Sequence, residues 1–232
     1  MKNASFVRVE SGKFKGKRLF LPSFATTRST KSRVKACVFN TLRAELAGKV
    51  FVEVFGGSGA MAFEALSNDA LGVVVVEKDK NAYKIACQNA ALLLNSTNSL
   101  NLSENSLLKD ENSANLPKNA LNSSPNYEFT SFSAQKVRLY QGDSFELLPS
   151  ILEQMPRQTP IIAYFDPPFH HRKGFLDIYE RVFKLINSLK GLNLELFIIE
   201  HSSQMPMPQV ISLFTLYKEK KFGNTALSFY RL

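Results

Sequence analysis

The sequence has little cysteine and no long apolar run. Its two cysteines, Cys37 and Cys87, form neither a zinc-ligand spacing nor the disulfide framework of a small secreted domain. No apolar stretch approaches the length of a membrane span, and the first residues lack the apolar core of a signal peptide. These absences predict a protein of a reducing, cytoplasmic compartment that does not enter a membrane.

Acidic residues are scarce in the first fifth of the chain. Residues 1–49 hold 12 Lys and Arg against two acids, Glu10 and Glu45, which gives a net charge of +10. The other 183 residues hold 17 basic and 18 acidic side chains, a net charge of −1, so the first 49 residues account for the whole +9 of the protein. This segregation favours a polyanionic partner over a merely solvated terminus.

The chain does have ample apolar material, arranged in a regular alternation. Its 232 residues, 44% of them hydrophobic, suit one medium-sized domain with a small extension. From Val50 onward, β-branched runs alternate with helical patterns, which predicts a parallel sheet covered by helices on both faces. The predicted strands are 49–55, 72–77, 136–143, 161–166 and 194–201, and the predicted helices are 59–66, 81–94, 145–153 and 175–188. Residues 213–232 predict an antiparallel hairpin at one edge.

Residues 1–48 are predicted to form a basic extension. Apolar and charged residues alternate around two glycine turns and predict a hairpin that ends at Pro22. Apolar spacing then predicts a helix over residues 31–47, with Thr30 as its N-cap and with its basic residues, Lys31, Lys35 and Arg43, on the face away from the core. Residues 49–232 would form the main domain. Nine Asn and nine Ser within residues 91–134 predict an exposed insertion there.

A glycine-rich turn follows the first strand of the predicted sheet, in "VFVEVFGGSGAMAFEAL". Glycine lets the backbone approach a ligand closely, and open parallel sheets bind ligands where their strands end. Glu77 ends the next strand, where a carboxylate can accept both hydroxyls of a ribose. Residues 57–62 also satisfy the loose dinucleotide fingerprint, so a nicotinamide- or flavin-dependent oxidoreductase stays open as an alternative.

Three acids, Glu53, Glu77 and Asp143, end three successive strands, and burying them without partners would be costly. S-adenosylmethionine would satisfy them, because it carries a sulfonium, an ammonium, a ribose diol and an amine but no phosphate. A dinucleotide brings two phosphates that these acids would repel, which favours the methyl donor, with S-adenosylhomocysteine as product. The predicted donor site comprises Glu53, Phe55, Gly56, Gly57, Ser58, Gly59, Glu77, Lys78, Asp143 and Ser144.

The fourth strand ends in "DPPF", residues 166–169. A ring-conjugated amine is a poor nucleophile unless its hydrogens are held so that the lone pair leaves conjugation. The Asp166 carboxylate and the Pro167 carbonyl can accept those hydrogens, and a Pro-Pro step holds the carbonyl because proline fixes φ. Phe169 offers a stacking face for a base, worth roughly 1–3 kcal/mol. The predicted catalytic residues are therefore Asp166, Pro167, Pro168 and Phe169, which act by alignment and electrostatics.

The three histidines do not predict a metal site. His170 and His171 are adjacent and would point apart in an extended chain, and no spacing typical of a metal site accompanies them or His201. We therefore expect no metal. Either His170 or His171 would hydrogen-bond the substrate, or both would be solvated in their loop.

The sequence resembles the RsmD-type family of bacterial 16S rRNA guanine-N2 methyltransferases over nearly its whole length except residues 91–134. The resemblance rests on "SGKFKGKRL", "TRSTKSRVKACVFNTL", "FGGSGAMAFEALS", "VVEKD", "GDSF", "FDPPF", "IIEH" and "KFGNTALSFY". It implies a Rossmann-like class I S-adenosylmethionine-dependent methyltransferase, with a mostly parallel seven-stranded sheet, an antiparallel C-terminal hairpin and a small N-terminal extension. The implied activity is methylation of N2 of a specific guanine in 16S rRNA, within the 30S subunit, by a monomer.

The resemblance also implies that Arg28, Thr30 and Arg33 contact substrate or cap the donor site. With the basic hairpin and helix, the predicted RNA contacts are Arg8, Lys13, Lys15, Lys17, Arg18, Arg28, Thr30, Arg33 and Lys35. The target guanine would be unpaired or extruded, because an amine inside a helix cannot reach the donor. Two alternatives stay open: an N-methyltransferase acting on DNA adenine or protein glutamine, and a non-catalytic RNA-binding relative.

Overall fold

The computed structural model of the protein describes residues 5–22, 28–94, 137–168 and 178–232, without the side chains of 28–31. The predicted insertion lies outside these ranges from residue 95 onward. The predicted stacking residue Phe169 lies outside them as well, and so do His170 and His171.

The N-terminal extension contains a hairpin and a helix. Strands β1 (Phe6–Arg8) and β2 (Arg18–Phe20) pair antiparallel, which confirms the predicted hairpin. Helix α1 (Arg28–Leu42) begins and ends earlier than the predicted 31–47. Thr30 therefore lies inside its first turn, and the prediction that it caps the helix is wrong. After α1 the chain turns over residues 43–45 and enters the main sheet.

The elements after α1 are β3 (Val50–Glu53), α2 (Ala60–Ser67), β4 (Gly72–Glu77), α3 (Lys80–Leu94), β5 (Val137–Gln141), α4 (Ser144–Glu153), β6 (Ile161–Phe165), α5 (Ile178–Ser188), β7 (Leu194–Ser202), β8 (Val210–Ile211), β9 (Phe214–Phe222) and β10 (Thr225–Arg231). The main sheet has eight strands among the described residues, in the order β5-β4-β3-β6-β7-β10-β9-β8. The first five are mutually parallel, and β10, β9 and β8 each pair antiparallel with the strand before them in this order. The predicted Rossmann-like architecture is confirmed. Strand β8 was not predicted, because two residues are too few to show a periodicity.

The central strands are buried on both faces, as their unbroken β-branched runs predict. On one face Val52, Val74 and Ala163 pack with the apolar side chains of α4 and α5. On the other face Phe51 and Val75 pack with α2, with the end of α3 and with the N-terminal extension. The extension therefore covers one face of the sheet and shares its core.

No helix in the described ranges is both long and apolar enough to cross a membrane.

Candidate active site

The ends of β3, β6 and β7 open into a cavity of about 160 Å³. Glu53, Tyr164, Asp166 and Glu200 line it together with the glycine turn, residues 56–58. The structure thus brings the two predicted motifs, the glycine turn and Asp166, to one cavity. Its volume is several times the roughly 30 Å³ that a water molecule occupies.

The N-terminal extension supplies another part of the cavity wall, which the sequence did not predict. Its contributions are Val7 on β1, Leu21 and Pro22 after β2, and Val34 and Lys35 on α1. The side chain of Asn89 on α3 holds this arrangement. Its amide donates to Phe20 O and Ser58 O and accepts the Phe20 N–H, so it joins β2 to the glycine turn. The basic extension is therefore a wall of the cavity and not a separate arm.

The glycine turn requires glycine at two positions for different reasons. A Cβ on Gly56 would lie 2.1 Å from Val75 Cγ1, so no side chain fits against β4 there. Gly57 has a φ of 52°, a left-handed conformation that side chains disfavour, and a Cβ built on it meets nothing within 4 Å. Open space at Gly57 leaves its backbone accessible to a ligand.

Glu77 is held beside this turn by two backbone hydrogen bonds. Its Oε2 accepts the Gly57 N–H at 2.6 Å and its Oε1 accepts the Asp79 N–H at 2.6 Å. Because each carboxylate oxygen has two lone pairs, each retains the capacity to accept one further hydrogen bond. The two bonds hold the carboxylate in one orientation beside the glycine turn.

Glu53 lies at the end of β3 and is only 6% exposed. Its carboxyl accepts the backbone N–H groups of Ala62 at 2.8 Å and Met61 at 3.4 Å, in the first turn of α2. Burial raises the pKa of Glu53 to about 8, these two N–H groups oppose the rise, and the nearby charges of Asp166 and Glu77 add to it. Near neutral pH the cavity therefore contains a carboxyl that a cation would ionise.

Asp143 and its neighbours lie outside the cavity wall. Asp143 caps α4 by accepting the Phe145 N–H at 3.0 Å, and it forms an ion pair with Lys78 at 2.9 Å. Partial burial favours a higher pKa for Asp143, but the Lys78 and Phe145 contacts outweigh it and hold that pKa below its usual value. Ser144 is buried, and its hydroxyl donates to Val54 O. Ser144 thus fastens α4 to the end of β3, whereas Asp143 keeps a charged carboxylate next to Lys78.

Asp166 follows the last residue of β6. Phe165 pairs with Ile199 in the parallel register of β6 and β7, so the next pair of residues along both strands is Asp166 and Glu200. The Tyr164 hydroxyl donates to Glu200 Oε2. Sequence reasoning missed Tyr164 and Glu200 as cavity residues. Two features of the sequence could have indicated them. Strand alternation places Tyr164 on the same side of the sheet as Asp166, and Glu200 is the acid in "IIEH" at the end of the next strand.

The hairpin presents cations to solvent. Lys13, Lys15, Lys17, Arg8 and Arg18 are exposed, and Arg8 and Arg18 face each other across β1 and β2. Arg33 on α1 is exposed too, with its guanidinium 5.9 Å from the ring centre of Phe222. Arg28 and Thr30 lie on α1, but their side chains are outside the described part of the structure.

Lys35 requires a correction, because the sequence placed it on an exposed basic face. It is only 3% exposed, and its ammonium forms an ion pair with Glu64 of α2 at 2.8 Å. It also donates to Arg8 O at 2.5 Å. This side of α1 faces α2, which the local pattern of α1 could not show. Lys35 therefore neutralises a buried acid and is not available to an external phosphate.

His201 is a buried structural residue. Its Nε2 lies 2.8 Å from Ser228 Oγ and its Nδ1 lies 2.9 Å from Ser202 O, and burial lowers its pKa. Within the described ranges, no group of three or more His, Cys, Asp or Glu side chains could hold a metal ion.

The chain is similar to known proteins over nearly its full length. The model of the family described as "Conserved hypothetical protein 95" matches residues 7–139 and 124–231. A curated relative from Escherichia coli, "Ribosomal RNA small subunit methyltransferase D", is 26% identical over 226 residues, which are 97% of this chain and 89% of the relative.

Two solved structures share the fold. One, "Putative methyltransferase yhhF from Escherichia coli", has a TM-score of 0.64 at 24% identity and covers 98% of both chains. Another, "SMU.776, a putative methyltransferase complexed with SAH", has a TM-score of 0.53 at 13% identity and covers 94% of this chain and 52% of that one.

Proposed function

The chain belongs to the family described as Conserved hypothetical protein 95, and from that premise we propose that it methylates N2 of a guanine in 16S rRNA. Its E. coli relative is named as a methyltransferase of small-subunit ribosomal RNA. The observation that carries the proposal is the single cavity that the glycine turn, Asp166 and the basic extension share. A methyl donor, an aligned amine and an RNA-binding surface would meet there.

The cavity and its surroundings fit S-adenosylmethionine. When bound, this cofactor supplies a methyl group on a positively charged sulfur. The Glu77 carboxylate, which two backbone N–H groups hold beside the glycine turn, would accept the two ribose hydroxyls. The Asp166 carboxylate favours a cation in the cavity and would repel the phosphates of a dinucleotide, and a bound cation would ionise Glu53 as well. The solved neighbour described with SAH, the demethylated product, supports the same cofactor.

Asp166 and Pro167 would align the accepting amine. The Asp166 carboxylate and the Pro167 carbonyl accept its two hydrogens, so that the nitrogen lone pair leaves conjugation and points at the methyl carbon. As the new N–C bond forms and the S–C bond breaks, the nitrogen becomes acidic, and its proton passes to Asp166 or to water. Most of the rate would then come from positioning and from charge stabilisation.

The exposed hairpin would bind the RNA backbone. Arg8 and Arg18 are directly opposed in an antiparallel ladder, a placement that destabilises the free hairpin because like charges repel. A phosphate between them would remove that repulsion. The hairpin stands at the wall of the cavity, so phosphates bound there would place a nearby extruded base at Asp166. We place the reaction on the 30S subunit, in the cytoplasm, with the protein as a monomer.

The experiment is methyl transfer from tritiated S-adenosylmethionine by an Asp166→Asn variant. We expect the rate on 30S subunits from cells that lack the protein to fall about 100- to 1000-fold, because one charge-bearing acceptor is lost. Affinity for S-adenosylhomocysteine, whose sulfur carries no charge, should be unchanged when measured by calorimetry. Glu153→Gln, at the exposed last residue of α4, is the control for loss of a carboxylate charge.

Duplex DNA and ribosomal protein serve as competing acceptors in the same assay. Label that enters either of them and not rRNA would refute the RNA substrate, and a wild-type rate for Asp166→Asn would refute the role of Asp166. Mapping the labelled nucleotide identifies the guanine.

A further inference from the structure

Glu200 and Tyr164 are buried polar residues of the cavity wall to which neither donor binding nor amine alignment assigns a role. Glu200 is 9% exposed and Tyr164 is 2% exposed, and both line the cavity. The Tyr164 hydroxyl donates to one oxygen of Glu200. This bond limits the rotation of the carboxylate and fixes the oxygens that Glu200 presents to the cavity.

The register places Glu200 beside Asp166. Tyr164 pairs with Ile198, and both side chains lie in the core on the face of the sheet that the extension covers. Side chains two positions apart along a strand point to the same face. Glu200 and Asp166 each follow this pair by two positions. Two carboxylates thus face one cavity from adjacent strands, which lie about 4.8 Å apart in a sheet.

Two neighbouring acceptors match the Watson–Crick edge of guanine and of no other RNA base. Guanine has two adjacent donors there, the N1–H and the N2 amine. Adenine and cytosine place an acceptor ring nitrogen next to their amine, and that lone pair would face a carboxylate. Uracil has no exocyclic amine. An enzyme that reads an extruded base reads this edge.

We propose that Glu200 accepts the N1–H of the target guanine while Asp166 holds its N2 amine, which makes Glu200 the residue that selects guanine. This inference rests on the proposed function. Tyr164 is a positioning residue, because it would act on the base only through its hydrogen bond to Glu200. A base with an acceptor at this position would leave a buried carboxylate facing a lone pair, and sites built in this way discriminate strongly.

The test compares guanine with 2-aminopurine at the mapped target nucleotide, in 16S rRNA assembled by ligation and reconstituted into 30S particles. 2-Aminopurine keeps the exocyclic amine but has an acceptor in place of the N1–H. The wild-type enzyme should prefer guanine by about ten- to a hundredfold in kcat/KM, the discrimination of a good base contact. Glu200→Gln should lower or reverse this ratio, because an amide can donate to the acceptor nitrogen.

Two further variants separate selection from general damage. Tyr164→Phe should lower the ratio of kcat/KM for guanine to that for 2-aminopurine by a smaller factor. Asp166→Asn should slow methylation of both bases equally and leave this ratio unchanged. Calorimetric affinity for S-adenosylhomocysteine, which lacks the sulfonium charge, and the thermal unfolding midpoint verify that each variant is folded. An unchanged ratio in folded Glu200→Gln, or a wild-type enzyme that methylates both bases equally, would overturn the proposal. The absence of any methyl transfer to guanine-containing 30S by the wild type would instead refute the proposed function.

Discussion

The N-terminal hairpin and the cavity carry charges of opposite sign. The cations of the hairpin are exposed to solvent, whereas most acids of the cavity are buried. The hairpin holds exposed cations, among them Lys13, Lys15 and Lys17. The cavity is lined by Glu53 and Glu200, which are more than nine-tenths buried. A polyanion would bind the exposed cations of the hairpin, and a cationic cofactor would bind among the acids of the cavity. Lys35 is the exception, an extension cation that lies in the interior and is paired there with Glu64.

The exposed charges of the hairpin and the buried charges of the interior contribute to the protein in different ways. Exposed cations are screened by salt and are individually weak, so the hairpin depends on their number. Buried charges are costly unless they are matched, so each one in the interior depends on a particular partner. Substitutions in the two regions should therefore have different consequences for stability, RNA affinity and donor affinity.

The largest effect should come from removing the buried cation. Lys35→Ala leaves the Glu64 carboxylate, 1% exposed, without its ion-pair partner. We expect a loss of about 3–5 kcal/mol in the free energy of unfolding, measured by urea denaturation. Lys49→Ala is the control, because its ion pair with Glu195 is at the surface and should contribute at most about 1 kcal/mol. Equal losses in both variants would contradict the distinction between buried and exposed pairs.

The exposed cations should affect RNA affinity without affecting stability. Replacing Lys13, Lys15, Lys17 and Arg18 together by Ala should weaken binding to 30S about a hundredfold at physiological salt. It should also reduce the salt slope by roughly 0.7–0.9 for each lost phosphate contact. Filter binding across a salt series measures both quantities.

The control for this variant changes the same number of charges elsewhere. Lys84, Arg157, Lys184 and Lys190 are exposed outside the extension, and replacing them by Ala should leave the salt slope nearly unchanged. Equal slopes for the two quadruple variants would show that net charge, and not the hairpin, drives binding.

Substitution of Glu77 should lower the affinity for the methyl donor and leave RNA affinity unchanged. Glu77→Gln keeps the shape of the side chain but removes the charged acceptor, so donor affinity should fall roughly tenfold, the value of about 1.5 kcal/mol for one hydrogen bond to a charged group. RNA affinity should stay at the wild-type value. Calorimetry with S-adenosylhomocysteine measures the first quantity, and a parallel loss of RNA binding would argue against separate donor and RNA regions.

The smallest effect concerns pH. Because the pKa of Glu53 is raised from 4.5 to about 8, the folded protein holds a proton that the unfolded chain has lost, so this group lowers stability as pH rises from 4.5 to about 8. A cationic donor favours the ionised form, so donor affinity should increase by about fivefold between pH 7 and pH 8. Glu53→Gln should remove this dependence. A pH-independent affinity in the wild type would exclude ionisation of Glu53 on binding.

Much of the architecture could be predicted because its signals are local. The β-branched runs at residues 72–77 and 161–165 specify strands buried on both faces, and the intervening apolar periodicity specifies helices. The glycine turn and Asp166 were found for the same reason, since each directly follows a strand. Strand β8 was missed because it is short. The insertion and Phe169 remain predictions, because they lie outside the described residues.

The order of strands and helices along the chain and the motifs at their ends follow from local patterns, because both depend on residues that are neighbours in the sequence. The packing on each face of the sheet depends on tertiary structure. It buried Lys35 against Glu64, placed Val7 and Pro22 in the cavity wall and set Glu200 beside Asp166. Burial and the pairing of charges depend on residues far apart in the chain, and the local pattern of α1 or β7 contains no information about them.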